Sequence, residues 1–329
     1  MGGGTSKSDE GSINLMTTLE GHTARIHSCC FSGDGTFVVT GGDDKTCKLW
    51  NAGNGKCVLT IEEESYVTGC KISNDGRTIA TSCADNSAKL WNAETGELLK
   101  KLEGHESFCL SCCFSPNGKL LMTTSDDSTA KIWNCASGLC LHTLEGHSDK
   151  VSCCAVSSDG KLCATGSLDN TAIIWDFNTG ELVAKVGGHS DWILKCEFSH
   201  DGKRFMTAST DQTARIWDVG RAEFQKEIKG HQATVTSCAW SKDDKVVVTG
   251  SLDNTAKLWH AWKTDDCIAT LGGHTDHVTC VAFSTDGTKV MTSSRDHTAK
   301  IWQVARNKAA DRSTLQRTVS AQEHAAEGG

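Results

Sequence analysis

The chain has 329 residues, a formal net charge of −8 and 18 cysteines. Acidity on that scale argues against a nucleic-acid binder that works by neutralising phosphates, and no apolar run approaches the roughly 18 residues of a membrane span. With no secretory apolar segment near the N-terminus, so many thiols point to a reducing, cytoplasmic setting.

Residues 1–12, Met-Gly-Gly-Gly-Thr-Ser-Lys-Ser-Asp-Glu-Gly-Ser, are small and polar and carry no core pattern. They fit M-G-x-x-x-[ST], with Gly2 as a myristoyl acceptor and Ser6 at the sixth position. A plain leader or cloning scar that happens to begin Gly-Gly-Gly fits too. A single acyl chain gives only weak, conditional membrane contact. Nothing nearby reinforces it, since Asp9 and Glu10 offset Lys7 and the first cysteine is Cys29.

The stretch 13–19 reads as a strand ending on Leu-Glu just ahead of Gly21-His22, like Leu102-Glu103 and Leu144-Glu145 ahead of later copies. From there one phrase recurs through residue 304. Its sharpest copies run from Ser167-Leu168-Asp169-Asn170 to Trp175 and from Ser251-Leu252-Asp253-Asn254 to Trp259, a tight turn and then a short strand ending on a large aromatic. All copies end on Trp: Trp50, Trp91, Trp133, Trp175, Trp217, Trp259 and Trp302, spaced 41 to 43 residues apart. An Asp stands six residues before each Trp, and a Thr stands four before each Asp. Six copies open on Gly-His, whereas the second carries Glu62-Glu63 there. Self-similarity at a fixed period near 42 marks a repeat architecture. The first hairpin turn of six copies is Asp-Gly or Asn-Gly, from Asp34-Gly35 to Asp286-Gly287, where Gly takes the positive φ such turns need. The sixth copy has Asp243-Asp244 instead, which suits that conformation less well.

With Gly-His at one end and Trp-Asp or Trp-Asn at the other, residues 13–304 resemble the WD-repeat (WD40) family. The resemblance implies an all-β fold, a seven-bladed β-propeller of four-stranded antiparallel blades. Its N-terminal strand would pair with the last repeat and close the ring, removing two sheet edges. A buried hydrogen-bond relay is implied as well, built from His22, Asp44 and Trp50, then His105, Asp127 and Trp133, then His147, Asp169 and Trp175. It continues through His189, Asp211 and Trp217, His231, Asp253 and Trp259, and His274, Asp296 and Trp302. The relay hydroxyl is taken as the Thr; the Ser two residues before the Asp, present in five copies, competes for that place. These residues are structural, because buried polar groups must be paired. The second copy, without His, is expected to be the loosest blade.

Six cysteines, Cys29, Cys70, Cys112, Cys154, Cys196 and Cys238, share one place in the repeat, which Val281 fills in the seventh copy. That equivalence labels a buried apolar slot where Cys acts as a small hydrophobe. Cys109 and Cys112 have zinc-site spacing, but residues three apart on a regular strand face opposite sides. No metal or cofactor is expected. Hydrolase, metalloprotease, P-loop and dinucleotide motifs are missing, so no enzyme is expected either.

In this family three positions per copy project toward the top rim, and here they vary where structural positions would be uniform. The first holds Arg25, Tyr66, Phe108, Lys150, Trp192, Thr234 and His277. The second holds His27, Thr68, Leu110, Ser152, Leu194, Thr236 and Thr279, and the third holds Asp43, Ala84, Asp126, Leu168, Thr210, Leu252 and Arg295. Aromatics and Arg carry binding energy at protein interfaces. Arg25, His27, Tyr66, Phe108, Lys150, Leu168, Trp192, Leu194, Leu252, His277 and Arg295 are therefore the candidate partner-binding residues, while Trp262 falls on the opposite side. The reading is a monomeric, non-enzymatic scaffold that docks other proteins, with no nucleic-acid partner. A ubiquitin-ligase substrate receptor is the alternative, weakened because Arg221 lies one place too late after Trp217. A ciliary or axonemal scaffold is another. Residues 305–329 read as a polar, Ala-rich mobile tail.

Overall fold

The computed structural model describes residues 13–263 and 267–304, so Gly2 and the stretches 1–12 and 305–329 lie outside the described residues. Strand β1 (Asn14–Leu19) comes first. Six blades follow: β2–β5 over 26–62, β6–β9 over 67–102, β10–β13 over 109–144, β14–β17 over 151–187, β18–β21 over 193–228 and β22–β25 over 235–271. The chain then forms β26 (Val278–Phe283), β27 (Lys289–Ser294) and β28 (Ala299–Gln303). These strands make seven four-stranded antiparallel sheets among the described residues, a seven-bladed β-propeller.

Burial peaks on the second strand of each blade and falls toward the outer one. Second strands such as Leu162–Ser167 are covered on both faces by neighbouring blades and are buried almost throughout, whereas outer strands such as Leu98–Leu102 bury only their last residue. The seventh blade has the order β1-β28-β27-β26, so the expected closure by the N-terminal strand is what the sheet shows. Leu19 is 1 % exposed and packs with Met291 and Ile301 of its own blade and with Ile26, Val38 and Trp50 of blade 1. One short strand thus joins the two ends of the ring.

Two bulges recur in every blade. On the outer strands the extra residue is Met16, Val58, Leu99, Leu141, Val183, Gln225 or Ile268, which twists the exposed edge out of line. On the inner strands it is His27, Thr68, Leu110, Ser152, Leu194, Thr236 or Thr279. These are the second rim positions. The inner bulge corrects one expectation: Cys109 pairs with Ser125 and Cys112 with Thr123, two residues apart on a regular strand, so both cysteines share a face. The extra residue at Leu110 shifts the alternation by one. Among the described residues no three His, Cys, Asp or Glu side chains gather where they could hold a metal ion.

Asp244 takes the left-handed conformation that Gly adopts in the other copies, with φ of 55°. Its carboxylate accepts the backbone N–H groups of His200 at 2.8 Å and Asp201 at 2.9 Å in the preceding blade. The missing glycine is exchanged for a tie between blades 5 and 6.

Candidate functional site

Each standard blade carries one hydrogen-bond chain, built because the hairpin brings Thr, Asp and Trp beside the incoming His. The His Nδ1 lies 2.7–2.9 Å from the Asp carboxylate. Its Nε2 lies 2.7–2.8 Å from the Thr hydroxyl. The Trp indole N–H donates to that same oxygen at 2.7–3.0 Å. Thr is therefore the relay hydroxyl. The competing Ser125, Ser167, Ser209, Ser251 and Ser294 do something else, donating to a backbone carbonyl in the loop after the His and accepting the Asp N–H.

Burial lowers the pKa of His105, His147, His189, His231 and His274 more than the facing Asp raises it, so these imidazoles are neutral. The proton order follows: Trp N–H to Thr, Thr O–H to Nε2, and Nδ1–H to Asp. Burial pushes the Asp169 carboxyl up, but hydrogen bonds from Thr171 and His147 outweigh it and hold it at about 2. Nothing in this chain of groups is open to a substrate; the histidine side chains are at most 2 % exposed.

The second blade fills the place of its missing His with other groups. Glu63 occupies the His place and accepts the Thr81 hydroxyl at 2.6 Å, while Trp91 donates to Thr81 at 2.9 Å. Lys89 turns inward to Glu63 at 2.5 Å and to Asp85 at 3.0 Å. The equivalent Lys48, Lys131 and Lys257 turn outward instead, to Thr60, Thr143 and Thr270 on the outer strand. Lys89 has Lys101 opposite it, and like charges repel there. A buried ion pair replaces the imidazole, and every relay place stays filled.

At the rim, the N–H of the third position donates to the carbonyl of the first in all seven blades, from Asp43 to Arg25 at 3.0 Å through Arg295 to His277 at 2.9 Å. The two positions therefore sit side by side at the same end of every blade. Tyr66, Phe108 and Trp192 are about half exposed, at 50 %, 49 % and 48 %. Leu168, Leu194 and Leu252 are half-buried beside them, making an apolar arc over blades 2 to 6. Exposed Glu64, Glu106 and Asp149 stand in the same loops. Several rim charges are already paired. Arg25 and His27 both bind Asp43, and Lys150 reaches Asp126 of the preceding blade at 2.6 Å. His277 and Arg295 lie together on blade 7.

The second rim position divides in a way spacing alone does not reveal. Thr68, Ser152, Thr236 and Thr279 donate to inner-strand carbonyls of the next blade, at 2.5–2.7 Å. These hydroxyls staple blades together. On the opposite face, Trp262 stacks on Trp240 with 5.7 Å between ring centroids, Arg204 lies over its ring, and its N–H donates to the Asp244 carbonyl at 2.8 Å. Despite its exposure, Trp262 is occupied by its own neighbours.

Residues 9–261, well over half of the chain, match the family model described as the WDR36/Utp21 first beta-propeller, and residues 265–303 match a WD domain, G-beta repeat. Among curated proteins, the "Ribosome biogenesis protein BOP1 homolog" of Drosophila ananassae is 43% identical over 47 residues, and that of Drosophila melanogaster 40% over 47 residues. Each alignment covers 14% of this chain and 6% of the relative, about the length of one repeat. No catalytic family is among these matches.

Proposed function

We propose, for a chain that belongs to the WD-repeat β-propeller family, that it is a non-enzymatic scaffold whose top face docks partner proteins. The observation that carries this reading is the exposed apolar arc of Tyr66, Phe108, Leu168, Trp192 and Leu194 on positions that vary from blade to blade. Half-exposed aromatics gain most when a partner covers them. The acidic neighbours Glu64, Glu106 and Asp149 favour a partner whose apolar anchors are flanked by basic residues. Exposed free thiols at Cys57, Cys140 and Cys267 support a reducing, cytoplasmic setting. The stretch shared with the ribosome biogenesis relatives is one repeat long, so it transfers a repeat and not their assembly.

The test is quantitative affinity capture with three proteins: wild type, Phe108→Ala/Trp192→Ala, and Trp262→Ala on the opposite face. Partners held by the wild type and by Trp262→Ala but lost from the double variant identify the rim as the docking surface. Equal capture by all three would place docking elsewhere.

A further inference from the structure

The inner-strand cysteine slot faces the preceding blade. Cys112 donates its thiol to the Ala80 carbonyl at 3.8 Å, Cys154 to that of Met122 at 3.8 Å and Cys196 to that of Ala164 at 3.9 Å, each on the second strand of the blade before. The next place along the inner strand holds cysteine in two blades, as Cys30 and Cys113, and other residues in the rest. Cysteine therefore stands on both sides of two blade junctions, Cys30 with Cys70 and Cys113 with Cys154.

The structure separates the two junctions. Cys70 turns its sulfur to the Ser28 carbonyl at 3.6 Å. Cys154 instead points at Cys113, and the two sulfurs lie 3.3 Å apart. Cys154 also meets the Ser111 hydroxyl at 3.9 Å and the Met122 carbonyl, both on blade 3, so its sulfur is held across the interface. The repeat does not require either thiol: Ala155 and Ala239 stand in the place of Cys113, and Val281 in that of Cys154. Cys113 is 8 % exposed and Cys154 3 %, which leaves Cys113 the more open to a reagent of a few atoms.

We propose that Cys113 and Cys154 are an oxidisable pair, which a small peroxide closes into a disulfide between blades 3 and 4. From 3.3 Å the sulfurs need to approach by only about 1 Å to reach the bonded distance of about 2.05 Å. In the first step the Cys113 sulfur takes one oxygen of the peroxide and becomes a sulfenic acid, while the peroxide is reduced to an alcohol, or to water for hydrogen peroxide. In the second, the Cys154 sulfur attacks the sulfenic sulfur. The S–S bond forms, the S–O bond breaks, and the Cys154 proton leaves with the hydroxyl as water. Two electrons pass from the thiols to the peroxide. The hydrogen bond with Cys154 and burial push the Cys113 thiol up, so closure is slow at neutral pH and quickens in alkali. A reducing setting keeps the pair open. The site is independent of the rim.

The test exposes the full chain to hydrogen peroxide near the ordinary thiol pKa of about 8.5. Remaining thiols are then alkylated in denaturant, and tryptic peptides are weighed with and without reductant. Residues 102–119 should appear joined to residues 151–161, and reductant should release them. Each peptide holds other cysteines, so variants assign the bond. Cys113→Ala and Cys154→Val, residues that other blades use at these places, should each abolish the link. Cys153→Ser, as at Ser28 and Ser237, should keep it. The oxidised wild type should melt higher than the reduced protein, and Cys113→Ala should show no such rise. A wild type that gives no joined peptides while exposed Cys57 is oxidised would overturn the proposal, and needs no variant to interpret. So would a link that survives Cys113→Ala, or one that forms between Cys30 and Cys70 in its place. Cys29 beside Cys280 and Cys153 beside Cys196 also meet across blades, and links confined to those pairs would overturn it equally.

Discussion

Replacing Glu63 by Ala should be the most damaging single change in any relay. The Glu63 side chain is 1 % exposed and accepts from both Thr81 and Lys89. Without it, Lys89, only 7 % exposed, keeps a single partner in Asp85, and the Thr81 hydroxyl loses its acceptor. Lys89 cannot escape by swinging outward, because Lys101 stands opposite it. Breaking a buried ion pair costs about 3–5 kcal/mol, and the surviving Asp85 contact keeps the loss at the lower end. Asp169→Ala removes the acceptor for His147, for the N–H of Ser148 and for both the N–H and the hydroxyl of Thr171. Some of those donors reach water, so about 2–3 kcal/mol is expected. Asp85→Ala leaves Lys89 on Glu63 and should cost about 1 kcal/mol. Urea unfolding curves for the three variants give the order directly. At a few degrees per kcal/mol, Glu63→Ala should also lower Tm by roughly 6–12 °C. The double change Glu63→His/Lys101→Thr should recover most of the loss by rebuilding the imidazole relay and freeing Lys89 to turn outward. A Glu63→Ala cost equal to or below that of Asp85→Ala would refute the reasoning.

Acid should weaken the ring in two steps. Five relay histidines have folded pKa values lowered by burial, so unfolded chains take up protons that the folded ring refuses, and stability falls as pH drops below about 6.5. The relay aspartates are depressed, Asp169 to about 2, so their contribution holds above about 4 and is lost between there and 2. Urea midpoints that do not change between pH 7.5 and 5 would contradict the first step. Deleting residues 1–20 strips β1 from blade 7 and uncovers Ile301 and Met291; the melting temperature should fall substantially, and an unchanged one would mean that closure does not depend on β1. If Gly2 is acylated, the intact mass from a myristoylating host should rise by one myristoyl group, and a membrane fraction should shrink in the Phe108→Ala/Trp192→Ala protein; an unmodified mass refutes the acylation.

Much of this fold is written locally in the chain. Thr, Asp and Trp of one relay lie on a single hairpin within ten residues, so their repeated spacing is enough to place them around one His. Turn chemistry and period do the rest, and the same regularity marks the rim as the place where residues vary. Tertiary structure decided what lies between repeats. Whether Glu63 leaves a gap depends on Lys89 turning inward, which depends on Lys101 across the strand. Whether a rim hydroxyl faces a partner or staples the next blade depends on a bulge that re-aims one side chain, and the same bulge puts Cys109 and Cys112 on one face. Periodicity reports which place a residue holds within its own repeat. It carries no information about which residue of another repeat will stand opposite, because that distance is set by ring closure and packing.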